Sequence, residues 1–295
     1  MATGVLLMAY GTPATPDDIE AYYTHVRRGR PPTPELLADL RRRYEAIGGT
    51  SPLLELTREQ AAGVQTALGD GFRVELGMKH APPFIEDGVA ALAEAGVDDV
   101  VGLVLAPHYS ALSVGEYANR AEDAAKAAGL PITVVKSWHL AGGYLDLLAG
   151  FVGDEVAKLD ADPVEVVFTA HSLPTRILDM GDPYPDHLAE TADAVAERAG
   201  LESWSVGWQS AGRTPEPWIG PDLLAVLPGL VDAGMAGVVV CAAGFVSDHL
   251  EVLYDLDVEA RAEAERLGLA FARTPSPNAH PLCCATLAEV GRSNA

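Results

Sequence analysis

Short apolar runs rich in β-branched residues punctuate the chain at positions 5–8, 72–76, 100–105, 132–135, 164–168, 204–207, 238–241 and 269–272. Runs of this length without polar alternation predict strands buried on both faces. Between them lie longer segments in which Ala and Leu recur at helical spacing among Glu and Arg, as at 86–95 and 259–267, and these predict amphipathic helices. Strand alternating with helix predicts a parallel sheet covered by helices on both sides.

The pattern also repeats. Met8-Ala9-Tyr10-Gly11-Thr12-Pro13 after the first strand matches Thr169-Ala170-His171-Ser172-Leu173-Pro174 after the fifth. Gly77-Met78-Lys79-His80 echoes Gly207-Trp208-Gln209-Ser210, each followed by prolines and an aromatic residue, and Ala106-Pro107-His108-Tyr109-Ser110 aligns loosely with Ala243-Gly244-Phe245-Val246-Ser247. Three matches in one order imply a duplicated four-stranded unit. The expected fold class is therefore α/β, with two similar Rossmann-like, doubly wound domains, each on a four-stranded parallel sheet, around a cleft. Ala141-Gly142-Gly143 interrupts the pattern after the fourth strand and divides the chain into an N-terminal domain, 1–143, and a C-terminal domain, 144–295. The duplication would set Tyr10 and His171 at equivalent positions on opposite sides of that cleft, a usual place for a ligand. Gly48-Gly49 lacks the spacing and the downstream Lys-Ser/Thr of a phosphate loop, so no nucleotide cofactor is expected.

Charge narrows the choice of partners. Forty-two acids against 20 Lys and Arg leave a net charge of −22, which argues against nucleic acid and anionic membrane. The first apolar run is too short for a signal or membrane helix, so a cytoplasmic protein without stable membrane insertion is expected. Three cysteines, Cys241, Cys283 and Cys284, read as buried thiols in a reducing compartment. They fall short of the four protein ligands an iron–sulfur cluster normally takes. Within this acidic chain Arg27, Arg28, Arg30, Arg41, Arg42 and Arg43 concentrate six cations in seventeen residues. They form either a site for an anion or a solvated helix face with local ion pairs.

Two phrases carry candidate chemistry. His171 ends a strand and is followed by Ser172-Leu173-Pro174, so it should emerge at the carboxyl edge of the sheet, where open α/β folds bind ligands. The phrase Ser247-Asp248-His249-Leu250-Glu251 opens an acidic stretch in which Glu251, Asp255 and Glu259 recur at helical spacing and should lie roughly along one face. An imidazole facing carboxylates can move protons and hold a divalent metal. The plain alternative is an amphipathic surface helix with its acids in water. His80 and His108 follow the second and third strands and could line the cleft, though a satisfied, hydrogen-bonded histidine is the plainer reading of each. His25 and His187, in helices, and His280, in a loop, read as surface or packing residues.

The chain also resembles the ferrochelatases, and among them it is most similar to the soluble coproporphyrin ferrochelatases of Gram-positive bacteria. The matching phrases are residues 8–13, 22–30, 43–53, His171-Ser172-Leu173-Pro174, Gly181-Asp182-Pro183-Tyr184-Pro185, Gln209-Ser210 with Pro217-Trp218, and the acidic stretch 248–255. The resemblance implies insertion of Fe²⁺ into a porphyrin held in a chelatase-like cleft between the two domains, with coproporphyrin III converted to coproheme in heme biosynthesis. By the same likeness His171 and Glu251 would accept the pyrrole protons and guide the metal. Asp255 and Glu259 would continue a path for metal or protons, and Tyr10 would stand on the opposite porphyrin face as an axial ligand. Arg27, Arg43, Ser51 and Tyr117 would hold the propionates. Fe²⁺ is then a substrate and no prosthetic group is implied. The C-terminal cysteine cluster of some actinobacterial relatives is not carried over, since only Cys283 and Cys284 occur there, and a [2Fe-2S] cluster is not expected. Competing readings are a chelatase for protoporphyrin IX or for cobalt with a corrin precursor, and a non-catalytic heme or porphyrin carrier. A monomer is expected, with transient contacts to neighbouring heme-pathway enzymes.

Overall fold

Each of the eight apolar runs forms a strand. A computed structural model describes residues 2–295, and in it the strands are β1 (Thr3–Ala9), β2 (Phe72–Met78), β3 (Asp99–Val104), β4 (Ile132–Val135), β5 (Val164–His171), β6 (Trp204–Gln209), β7 (Gly237–Cys241) and β8 (Ala270–Arg273). The helices of the first half are α1 (Ile19–Val26), α2 (Pro34–Ala46), α3 (Leu53–Leu68), α4 (Ile85–Glu94) and α5 (Val114–Ala128). Then come α6 (Gly142–Lys158), α7 (Arg176–Asp179), α8 (Tyr184–Ala199), α9 (Leu223–Asp232), α10 (Leu250–Tyr254), α11 (Arg261–Leu267) and α12 (Pro281–Ser293). Among the described residues no helix is long and apolar enough to cross a membrane.

The strands make two four-stranded parallel sheets with the same order, β2-β1-β3-β4 and β6-β5-β7-β8. The duplication read from strand-end motifs is thus a duplication of topology. Side chains alternate between two buried layers, as the absence of polar alternation predicts. Val5 and Leu7 of β1, Val166 and Phe168 of β5, and Val239 and Cys241 of β7 share one continuous core that spans both sheets. Their neighbours Leu6 and Met8, and Val167, Val238 and Val240, face separate outer layers under α4–α5 and under α9–α11. α6 and α12 fill the space between the sheets, packing on each other and on α8 and α3 respectively, and Cys283 and Cys284 are buried there as free thiols. The expected division between residues 143 and 144 falls in the first turn of α6.

Two departures from the expected elements bear on function. β5 and β6 run past their apolar stretches to His171 and Gln209. The polar residues there are buried without penalty because they satisfy one another: Thr169 Oγ1 donates to Gln209 Oε1 at 2.8 Å, and the ladder continues as Ser172 N donates to Gln209 O at 2.7 Å. The acidic helix is also not uniformly α-helical. Between α10 and α11 lies a π-helical turn, Asp255–Ala260. In an α-helix a four-residue step overshoots a full turn by roughly 40°. The wider π turn takes more residues per turn and holds the step from Asp255 to Glu259 back.

A candidate active site between the two sheets

Tyr10 directly follows β1 and His171 ends β5, so the repeated topology brings the two to one cleft, as expected. The cavity there has a volume of about 580 Å³, and Tyr10, Tyr117, His171, Trp218 and Glu251 are among its lining residues. Gly11, behind Tyr10, has φ +92° and a backbone so close to Ala81 that a Cβ would stand 2.9 Å from its nitrogen. Only glycine makes that turn without strain. Gly244, after β7, is equally confined, since a Cβ there would fall 2.5 Å from Ala170 Cβ.

Three neighbours fix His171, two through its ring and one through its backbone. Its Nδ1 bonds the Ser172 carbonyl oxygen, its own carbonyl accepts from the Tyr184 hydroxyl at 3.0 Å, and Trp218 packs 6.4 Å away, centroid to centroid. That leaves Nε2 facing Glu251 Oε1 at 3.6 Å. Glu251 owes its place to His249, which sits at the N-cap of α10 in extended conformation and accepts the Glu251 N–H on Nδ1 at 3.0 Å. Gln209 Nε2 adds a bond to the Glu251 carbonyl at 3.2 Å. His249, Gln209 and Tyr184 fall within the quoted motifs, but sequence reasoning gave none of them a role. Histidine is not among the preferred N-caps, so its position two residues before the carboxylate was the one available signal.

Electrostatics polarise this pair. Burial works against an ionised Glu251, yet the His171 imidazole facing it, with smaller contributions from His249 and Arg43, brings its pKa down to about 2. Burial likewise works against a charged His171, and Glu251 more than offsets it, so the imidazole pKa is raised. Asp255 lies deeper. Burial pushes it up and Arg43 pulls it down, while Glu251 and Glu259 raise it and a bond from Ser210 lowers it; the outcome is about 7. Ser210 is held at φ +60° at the end of β6 to make that bond, an uncommon conformation for a residue with a side chain. Across the cavity Tyr10 is 42 % exposed, but only to the concave space, and burial with the charges of Glu251 and Glu116 keeps its hydroxyl firmly protonated. Burial, with the Lys79 and Arg120 cations nearby, brings His80 down to about 3, so its ring is neutral beside Tyr10 at 4.6 Å.

The remaining predicted residues separate. Ser51, Tyr117 and Arg43 line the cavity. The Arg43 guanidinium, however, is bonded to Asp255 and lies over the Tyr254 ring at 4.6 Å. Arg27 is outside the lining; its Nε donates to the Arg30 carbonyl at 3.2 Å and it stacks on Tyr23. Arg28, from the same cluster, reaches the rim instead, with Lys79, and both contact Glu116. Of the three acids Glu251, Asp255 and Glu259, the first faces the cavity, where Asp39 and Glu116 also lie, Asp255 is buried behind it, and Glu259 is exposed. Asp248 and Asp257 are structural, both paired with Arg273, at 3.3 and 2.8 Å. His80 and His108 line the cleft as expected, and His280 caps α12 through the Leu282 N–H.

Comparison with known proteins gives the family and the fold. The chain is 48 % identical over 286 residues to the coproporphyrin III ferrochelatase of Halalkalibacterium halodurans, covering 94 % of this chain and 92 % of that one. It is 45 % identical over 297 residues to that of Bacillus subtilis (strain 168), covering 97 % and 96 %. Among solved structures, the sirohydrochlorin chelatase SirB from Bacillus subtilis in complex with cobalt superposes with a TM-score of 0.64 over 100 % of this chain and 96 % of that one. CbiX, the terminal enzyme of siroheme biosynthesis in denitrifying bacteria, does so with 0.56 over 99 % of each. Identities of 12 and 15 % make these a likeness of fold. The ferrochelatase family profile matches residues 2–295, and with these full-length relatives it shows that the chain belongs to the ferrochelatase family.

Proposed function

We propose that this protein inserts Fe²⁺ into coproporphyrin III, giving coproheme and releasing two pyrrole protons, and that it does so in the cytoplasm as a monomer. The observation that carries the reading is the His171–Glu251 pair at 3.6 Å on one wall of the cavity, opposite Tyr10. A macrocycle that must lose two protons needs a base whose pKa lies near neutrality, and an imidazole tuned by a carboxylate meets that need. Nitrogen and oxygen donors on this wall hold Fe²⁺ only moderately, so the metal can be surrendered to the ring. Behind the pair, Asp255 titrates near neutral pH and Glu259 reaches solvent. In this reading they pass protons outward or metal inward.

The rim suits an anionic substrate. Arg28, Arg43 and Lys79 stand around a cavity in a protein that is otherwise strongly acidic. Guanidinium and ammonium groups there would pair with propionates, with Ser51 and Tyr117 as hydroxyl donors and Tyr10 free to face the metal from the other side. The test is anaerobic mixing of purified protein with Fe²⁺ and either coproporphyrin III or protoporphyrin IX, followed in the visible spectrum. Turnover with the four-propionate substrate alone is expected. Equal turnover with both would discard the substrate choice, and binding without turnover would replace the enzyme with a carrier.

A further inference from the structure

Each Lys and Arg that lines the cavity has an acid partner. Arg28 and Lys79 share Glu116, Arg43 is bonded to Asp255, and Arg213 shares Asp39 with Arg42. Arg213 lies outside the sequence motifs and outside the propionate set that the resemblance implies. It lines the cavity from the segment between β6 and α9, and Asp39 lines it from α2. Their bond, from Arg213 Nη2 to Asp39 Oδ2 at 2.9 Å, therefore joins the second half of the chain to the first across the cleft.

These cations differ in how easily they can change partner. The side chains of Arg43 and Lys79 are 21 and 11 % exposed, whereas those of Arg213 and Arg28 are 62 and 82 % exposed. An exposed ion pair contributes little to stability, so exchanging it costs little. Nor does Asp39 lose its only cation when Arg213 leaves. Arg42 stays at 2.8 Å, and it also donates to the Tyr254 hydroxyl at 2.6 Å. Burial opposes the Asp39 charge, but Arg42 and Arg213 hold its pKa below the usual carboxylate value, so it remains an anion. The segment that carries Arg213 is anchored. Trp218 Nε1 donates to Thr214 Oγ1 at 2.9 Å, the indole lies against Gly212 where a Cβ would not fit, and Thr175 N donates to the Pro217 carbonyl at 2.9 Å. Trp218 also packs beside His171. Arg213 is thus tied through its backbone to the wall that carries the His171–Glu251 pair, and only its long side chain need move.

We propose that Arg213 is a carboxylate-binding residue of the cavity, which exchanges Asp39 for a propionate of an entering porphyrin and so selects for substrates with a carboxylate on that side. The inference rests on the proposed porphyrin substrate. Guanidinium offers the same planar fork to either carboxylate, so Asp39 is a built-in competitor. A porphyrin without a carboxylate there gains nothing from the exchange, and Asp39 thereby adds to selectivity.

Iron-free binding titrations, read by porphyrin fluorescence, test this without turnover. Arg213→Gln should weaken coproporphyrin III binding about three- to ten-fold and leave affinity for its uncharged tetramethyl ester unchanged. Arg213→Lys should restore part of the loss. Asp39→Asn should tighten coproporphyrin III binding, and by a smaller factor in an Arg213→Gln background, where only the loss of a negative charge remains. These differences should shrink at about 0.5 M salt. If Arg213 served only to hold the cleft together, Arg213→Gln and Asp39→Asn would change affinity in the same direction, for acid and ester alike. That pattern, or unchanged coproporphyrin III affinity in Arg213→Gln, would overturn the proposal while leaving the porphyrin reading intact. Wild type that binds no porphyrin would overturn both.

Discussion

Replacing Glu251 by Gln keeps its shape and removes its charge, and the consequence for His171 follows from one distance. Two unit charges 3.6 Å apart interact by about 4.6 kcal/mol at an effective dielectric constant of 20 and about 1.2 at that of water. Both side chains are about one-third exposed to the cavity, at 32 and 35 %, so solvent screens the pair and the upper figure must be discounted. An effective constant between about 40 and 80 gives roughly 1.2–2.3 kcal/mol, which is about one to two pK units. With the carboxylate gone, only the Ser172 carbonyl and the more distant Asp255 still oppose burial, and the His171 pKa should fall by that amount. Proton NMR of the His171 ring, assigned by its loss in His171→Ala and followed against pH, measures the shift directly. Metal insertion should slow by about two to four orders of magnitude, the usual worth of a positioned acid–base group, while porphyrin affinity changes little. A His171 midpoint that moves by less than about 0.3 units would refute the pairing argument, whatever happens to the rate.

Other outcomes follow from the same geometry. Asp255→Asn keeps the partner of Ser210 but removes the group that titrates near 7, so the pH–rate profile should lose an inflection in that region; an unchanged profile would exclude Asp255 from the proton path. Because Glu251 ionises near 2 in the folded protein and near 4.5 unfolded, its contribution to stability is present above about pH 4.5 and is lost as pH falls toward 2. The gap between the urea midpoints of wild type and Glu251→Gln should therefore shrink as pH falls below about 4.5 and close only near pH 2, and a gap undiminished at pH 3 would show another cause. Gly244→Ala drives a methyl group into Ala170 and should cost about 1–3 kcal/mol by overpacking, read from the same urea midpoints. Phe168→Ala, in the core shared by both sheets and fully buried, should cost about 3–5 kcal/mol in equilibrium unfolding; a loss below 1 kcal/mol would mean that the two sheets do not share that core.

Local pattern was enough to place every strand, because a strand buried on both faces leaves an uninterrupted apolar run, and enough to reveal the duplication, because the motifs at the strand ends repeat. The apolar runs alone stop short of the ends of β5 and β6, although His171 was rightly placed at the end of its strand. Thr169 and Gln209 look like loop residues until the partner that satisfies each is known, and that partner is in another strand. His171 was identifiable because it ends such a run, and Glu251 because it opens a series of acids at helical spacing.

What the sequence by itself determined, then, is the α/β architecture and the list of groups that reach the sheet edges. Both depend on interactions between residues close along the chain. Only the tertiary structure decided how those groups divide their work. Arg43, Asp255 and Ser210 are joined across three elements, Asp248 and Asp257 are taken up by Arg273, Arg28 and not Arg27 reaches the rim, and Arg213 meets Asp39 across the cleft. A side chain's charge state and partner depend on neighbours tens to hundreds of residues away, and on the burial that only packing of the two halves creates.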